Sequence, residues 1–545
     1  MSEQAPKLNL QQDESIPQKS VSTIDKVNNT LTEELILGIC YPIGSSKEIL
    51  IENLSKVLKE KYSYKVEVIK LSKYIKEYSS NPTVEGKKGH SIAYSELMSK
   101  IEEGNELRKR INSAVLAELA IYDIHISRRD DKKSGKPIPI KELKTRRICY
   151  IIDSIKNKEE LDLFRSIYRD IFYLFSVFSP KHIRESNLQV KDLNLTEIKS
   201  IINTDEYESV KYGQNVRNTF INGDFIVRIP DASKEDLLKK VSRYLSLIFE
   251  DQIITPLAHE TAMYEAKSAA GNSACLSRQV GAAITNSAGE IISRGWNDVP
   301  KYGGNLYRDD DAKDSRCFKE GKYCRNDERK DLLSCEIADS IFEPLLLQRL
   351  LEAFRVNISI EDIRNELSEN SGKNFIEEVK DRIRRSSKIK DLIEFSRSVH
   401  AEMHAIIIGC QLAGNQMIGG KLYCTTYPCH NCGRHIISAG IIEVYYIEPY
   451  VKSLCLTLHQ DSMTEDERDI PENNEKVKIL MYDGVAPRRY LEFFTMNASR
   501  KSQEGRVVEV DTHNVKPKTQ LSIQALPTLE TQALYSLSES GLKPQ

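Results

Sequence analysis

His400-Ala401-Glu402 and, further along, Pro428-Cys429-His430-Asn431-Cys432 constrain this chain more than anything else in its 545 residues. One imidazole and two thiolates at these spacings supply three ligands for a tetrahedral zinc ion, with a carboxylate left over. The fourth position would stay open for a water whose pKa the metal lowers toward neutrality. His400 and Glu402 stand where an apolar run begins (Met403, Ala405, Ile406, Ile407, Ile408), which predicts the first turn of a helix with its positive end toward the metal. Cys429 and Cys432, three apart after Pro428, predict the start of a second helix, because proline is tolerated at or just before a first turn. Two helix N-termini would then converge on one ion. A Cys-x-x-Cys alone could equally be a redox pair or half of a structural zinc site. Joined to the upstream His-x-Glu and the proline, it reads as a catalytic Zn2+ site with Glu402 moving protons.

Together these segments form the H-x-E…P-C-x-x-C signature of the zinc deaminases. Ser273-Ala274-Cys275 through Arg278-Gln279-Val280-Gly281-Ala282-Ala283-Ile284, then Gly295-Trp296-Asn297-Asp298-Val299-Pro300, resembles the opening strands of deoxycytidylate deaminases. Leu422-Tyr423-Cys424-Thr425-Thr426-Tyr427 resembles the strand leading into their Pro-Cys-x-x-Cys, and the resemblance covers roughly residues 255 to 498. It implies that Asn297 hydrogen-bonds a deoxyribose, with Arg278 beside it, while Glu402 shuttles protons as water adds to C4 and ammonia leaves. The bland alternative for Asn297 is a turn residue ahead of Pro300. His404 stands where single-domain relatives usually carry asparagine; it either helps hold the nucleotide or is a buried histidine. Tyr450, Lys452, Arg488 and Arg489 put an aromatic and cations after the metal motif, which suits a phosphorylated substrate, although a solvated basic turn reads the same way.

Composition adds exclusions. A formal charge of -2 argues against a protein that coats nucleic acid. No apolar run approaches the ~20 residues that span a bilayer, and residues 1–29 are polar, so the expectation is a cytoplasmic protein with no membrane partner. Eleven cysteines read as reduced thiols and metal ligands. Cys275, Cys317, Cys324 and Cys335 could include a second zinc site, with free cysteine the simpler reading.

Residues 31–230 alternate apolar strands with amphipathic helices, which predicts an α/β layer on a parallel sheet. Leu35–Cys40 reads as a strand, Tyr41–Ser46 as a tight loop, Lys47–Lys61 as a helix and Lys65–Ile69 as the next strand. That is the opening of a P-loop nucleotide kinase with its consensus broken: Ile43 stands in place of glycine, Gly44 comes one place late, and Ser45 follows where lysine belongs. Gly38, Gly44, Ser45, Ser46 and Lys47 are therefore nucleotide-binding candidates. Asp153, closing the apolar strand after Arg147, is the candidate magnesium acid, and a turn residue otherwise.

With Gly213-Gln214-Asn215-Val216 and Thr219, Phe220 and Asp224, this unit resembles the kinase-like half of the two-domain anti-phage deoxycytidine nucleotide deaminases, in which it precedes the deaminase, as here. The resemblance implies deamination of free dCTP and dCMP, a homo-oligomer, and regulation rather than phosphoryl transfer by the first unit. A regulatory nucleotide or a small inhibitory RNA is the candidate partner there. Arg128–Arg147 carries nine Lys or Arg against three acids, which suits an RNA or, given Gly135 and Pro137, a solvated loop.

The expected organisation is a disordered segment at 1–30, a kinase-like regulatory unit at 31–250 with a helical connection near its end, a zinc deaminase unit of α/β/α type at 251–498 with a helical insertion at about 335–395, and a largely disordered tail at 499–545. Polar composition with little periodicity is the reason for both disordered ends.

Overall fold

The computed structural model describes residues 22–78, 90–130, 136–207, 215–230, 234–342, 372–449, 453–466 and 476–542. Two six-stranded sheets with flanking helices make a mixed α/β protein. Five strands of the first sheet are parallel: β1 (Leu35–Cys40), β2 (Lys65–Lys70), β3 (Ile148–Asp153), β4 (Phe172–Phe178) and β5 (Phe225–Arg228), in the order β2-β3-β1-β4-β5. β1 and, up to its closing Asp153, β3 are apolar runs buried along their whole length, as a parallel strand covered on both faces must be. β2, at the edge, alternates Lys and Glu with Val and stays largely exposed.

The second sheet contains β6 (Gly281–Thr285), β7 (Ile291–Trp296), β8 (Lys421–Thr426), β9 (Glu443–Glu448), β10 (Met463–Thr464) and β11 (Val477–Met481), in the order β10-β11-β9-β8-β6-β7. β6 and β7 form an antiparallel pair, β6 is antiparallel to β8, and from β8 outward the sheet is parallel. The Ala401–Leu412 helix presses on β7 so closely that a Cβ on Gly295 would sit 2.3 Å from the Ala405 nitrogen and 2.4 Å from the Ala401 oxygen. Only glycine admits that approach.

The boundary expected at residue 250 is crossed by a strand and by the core. β12 (Gly484–Val485) leaves the second half of the chain and pairs antiparallel with Ile226 and Phe225 of β5. One cluster of buried apolar side chains also runs from Ile36 and Phe172 through Met263 to Ile284 and Leu422.

The tail corrects an expectation. Its described part carries a helix, Ala525–Glu539, whose Glu530 is fully buried and bonded to Arg128, to His125 at 3.1 Å and to Tyr168 at 2.9 Å. Arg128 also holds Glu34 at 2.6 Å. Polar composition concealed this helix because its docking is ionic as well as apolar. At the other end, Thr23–Asn28 is helical, and Thr32 donates to the Leu521 carbonyl at 2.8 Å. In the basic segment Arg128, Arg146 and Arg147 are paired with Glu34, Glu530 and Glu33, so three of its cations are already neutralised within the chain. Of the insertion, helices Arg325–Ile337 and Gly372–Ser386 pack together, and 343–371 lie outside the described residues.

Candidate active site

His400 is the N-cap of the Ala401–Leu412 helix, and Cys429 is the N-cap of the His430–Ser438 helix. His400 and Cys429 thus each sit at the end of an extended entry segment, and Cys432 lies in the first turn of the second helix. Val399 is fixed by its N–H to the Asp298 carbonyl at 2.9 Å, and Cys429 follows β8 by way of Tyr427 and Pro428. His400 Nδ1 lies 3.3 Å from the Sγ atoms of both Cys429 and Cys432, and the three donors fall within 4.8 Å of one another. Both helix dipoles direct their positive ends at the thiols, favouring the anionic form. The hydrogen bond from Cys432 first, and His400 next, hold the Cys429 thiol well below the ordinary thiol range, while burial pushes its partner Cys432 up.

Glu402 sits at the second helical position, only 4% exposed, with burial pushing its carboxyl above the ordinary range. Cys424 of β8 hydrogen-bonds to it. The donor set is the one zinc takes, soft thiolates with an imidazole, and it is the only group of three such donors among the described residues. Cys275, Cys317, Cys324 and Cys335 do not gather into another.

A cavity of about 320 Å³ opens over these residues, lined also by Arg278, Asn297, Thr426 and Tyr427. A larger cleft of about 570 Å³ around Lys240, His259 and Tyr445 contains none of the three metal donors. Asn297 is placed at the site but its amide is tied down, accepting from the Val280 N–H at 2.7 Å and donating to the Arg278 carbonyl at 2.9 Å. Arg278 faces the cavity, paired with Glu448 at 3.1 Å.

Three expectations are corrected here. His404 is 2% exposed and both ring nitrogens are used: Nδ1 accepts from the Trp296 N–H at 3.2 Å and Nε2 meets Asn305 Oδ1 at 3.1 Å. Burial pushes the ring down to about 4, so it is a neutral brace between β7 and the helix, the buried histidine of the two readings. Arg488 and Arg489 lie away from the cavity and clamp the buried Asp224 carboxylate, each at 3.0 Å. Tyr450 and Lys452 fall outside the described residues.

At the first unit's loop, Gly38 is inside β1, where a Cβ would lie 2.7 Å from Ile155 and 2.8 Å from Phe172; it serves packing, not phosphate. Gly44 takes the left-handed conformation at φ +84 that this tight turn needs. Lys47 is bound by both oxygens of Asp153 at 2.6 and 2.7 Å. Three of the loop's N–H groups are occupied too: Ile43 donates to Asp205 at 2.7 Å, Ser45 to Pro42, and Ser46 to the Ser179 hydroxyl. The Asp205 carboxylate, itself held by Lys156 at 2.6 Å, stands at the loop as a phosphate would. The loop as folded presents no open cradle.

Arg217, which sequence reasoning did not single out, enters the deaminase cavity from the first unit and faces Glu448 at 3.6 Å. Nothing local marks it, since its partner lies more than two hundred residues downstream.

Residues 257–448 match the family model described as "Cytidine and deoxycytidylate deaminase zinc-binding region". The C-terminal part of this chain is therefore a deaminase zinc-binding domain. Among curated proteins, ComE operon protein 2 of Bacillus subtilis (strain 168) is 47% identical over 55 residues, spanning 10% of this chain and 29% of that protein. The dCMP deaminase of cyanophage S-TIM5 overlays in its apo form with 15% identity over 42% of this chain and 100% of its own, at a TM-score of 0.21. Its complex with dCMP and dUMP does so with 16% identity over 42% of this chain and 99% of its own, at the same TM-score of 0.21. Zinc is the cofactor of this domain, and His400, Cys429 and Cys432 are the residues that would hold it.

Proposed function

We propose that this protein is a zinc-dependent hydrolytic deaminase of free deoxycytidine nucleotides, converting dCTP to dUTP and dCMP to dUMP with release of ammonia, and that it depletes dCTP as a defence against phage. The observation that carries the reading is the convergence of two helix N-termini on a His/Cys/Cys donor set with a buried, non-ligating Glu402 beside it, open to a cavity that Arg278 and Arg217 face. Bound zinc would supply the Lewis acidity that makes water nucleophilic near neutral pH. Glu402 takes the proton from the attacking water, delivers it to N3 of cytosine, and carries a second proton to the departing N4 amine. Desolvation at Glu402 favours its protonated form, which suits that return delivery. Arg278 and Arg217 are the guanidinium groups that line this cavity and would meet phosphate oxygens, and Asn297, in the same wall, would face the sugar. The defence role and the regulatory part of the first unit are supported by the order of the two units and their resemblance to anti-phage deaminases.

The test is to incubate zinc-loaded protein with dCTP, dCMP, CTP and cytosine-containing single-stranded DNA, and to identify products by mass. dUTP and dUMP without CTP turnover is the expected result. Uracil confined to the DNA, or no product from any substrate, would overturn the reading.

A further inference from the structure

Between β7 and the Ala401–Leu412 helix, residues 305–316 form a stretch that the sequence alone left without a role, and it returns repeatedly to the metal site. Asn305 meets His404 at 3.1 Å, the Arg308 guanidinium lies 5.4 Å from the centre of the Trp296 ring, and the Tyr307 N–H donates to the Val299 carbonyl at 3.1 Å. Arg397, just ahead of His400, donates to the Ser315 carbonyl at 3.2 Å.

Arg316, the next residue, is 4% exposed, and its guanidinium faces three carboxylates: Asp309 at 2.6 Å, Asp314 at 2.7 Å and Asp298 at 3.6 Å. The first two have other means of support. Asp309 is exposed to water, and Asp314 has a second cation in Lys319 at 3.0 Å. Asp298 has neither. It is 1% exposed, and Arg316 makes its only ion pair among the described residues.

Asp298 is also where the backbone segments of the site are joined. Its carboxylate accepts from the Ala274 N–H at 2.9 Å and from the Val299 N–H at 2.8 Å. Its carbonyl accepts from the N–H of Val399, the residue before His400, and its chain neighbour Asn297 lines the deaminase cavity. Burying a carboxylate without a cation is unfavourable enough that the group takes up a proton or turns toward water. Either change weakens its hold on these N–H groups, because a charged acceptor bonds more strongly than a neutral one.

We propose that Arg316 is a positioning residue for the metal site: it keeps the Asp298 carboxylate anionic and in place, and Asp298 in turn holds Val399, and with it His400, in register with the two cysteines. Asp309 and Asp314 aim the guanidinium. The role rests on His400, Cys429 and Cys432 being the metal donors, and is independent of which nucleotide is deaminated.

The affinity of the full-length protein for Co2+, measured against a competing chelator, tests this without any substrate, and the absorption of thiolate-bound cobalt reports the donor geometry in the same titration. Arg316→Met should weaken Co2+ binding about 10–100-fold, the usual effect of removing a group that orients a metal ligand from behind. The double variant R316M/D298N should recover most of that loss, since the harmful group in R316M is the uncompensated carboxylate. Lys319→Met, which removes a cation from Asp314 without facing Asp298, should leave the affinity unchanged. Melting temperatures of the metal-free proteins show which variants are folded. If R316M is not, the comparison is made between R316K and R316K/D298N, because lysine keeps a cation in the turn but lacks the fork that reaches two carboxylates at once. Wild-type affinity and spectrum in R316M, no recovery in the double variant, or a loss in K319M as large as in R316M would each overturn the proposal, the last two by reducing Arg316 to a brace of its own turn. Wild-type protein that binds Co2+ in this way yet, loaded with zinc, deaminates neither dCMP nor dCTP would sink the deaminase reading and leave the positioning role standing.

Discussion

Glu402 is four per cent exposed, next to two thiols at the metal position and hydrogen-bonded to a third, Cys424, yet its spacing from His400 keeps it off the donor set. Its replacement therefore separates ligation from proton transfer. Glu402→Gln should lower kcat on dCMP by about 10²–10⁴-fold, the usual worth of a positioned acid-base group, while zinc content by atomic absorption stays near that of the wild type. Cys429→Ser should do the reverse first, losing zinc before any rate can be assigned. At this scale the type of residue was legible and its partners were not. His400 with Glu402 and Cys429 with Cys432 form two local pairs, two and three residues apart, and the spacing within each encodes its chemistry. His404, Arg488 and Arg489 looked equally suitable, but Asn305 and a buried Asp224, distant along the chain, had already engaged them.

Elements carry these side chains, and the least tolerant contact among them is the one between the Ala401–Leu412 helix and β7. Gly295→Ala would push a methyl into the Ala401 carbonyl and the Ala405 N–H, main-chain atoms with no side chain to swing away. We expect a loss of stability of about 1–3 kcal/mol, as for other overpacking changes, together with weakened zinc binding because His400 rides on that helix. Thermal unfolding with and without chelator measures both; zinc affinity left intact would show that the helix shifts without disturbing its N-cap. The strand-loop-helix at residues 35–60 teaches the opposite lesson. Apolar runs and amphipathic spacing made β1 and its helix legible almost to the residue, whereas the saturation of the loop by Asp205, Ser179 and Asp153 came from elements more than a hundred residues away.

For the whole molecule, the two units are not separable pieces. Residues 251–498 expressed alone would leave β12 without β5 and expose the apolar cluster that Ile36 and Phe172 share with Met263; we expect that fragment to be insoluble or to unfold well below the full chain in a melting experiment. The tail is bound in as firmly. Glu530→Ala leaves Arg128 with only Glu34 in a buried setting, where breaking such a pair costs about 3–5 kcal/mol, and urea unfolding should show a loss of that order. A loss under about 1 kcal/mol would mean that the tail helix docks by its apolar face alone. The sequence by itself determined the zinc chemistry, the alternation that makes both halves α/β, and the starts of the two helices that meet at the metal, because each depends on residues a few positions apart. Only the tertiary structure decided that Arg217 crosses from one unit to the other's cavity, that Asp224 claims the two arginines after β12, and that the polar tail folds back over Arg128. Those pairings depend on loop closure across hundreds of residues, and their free energy resides in burial and charge neutralisation that no local spacing encodes.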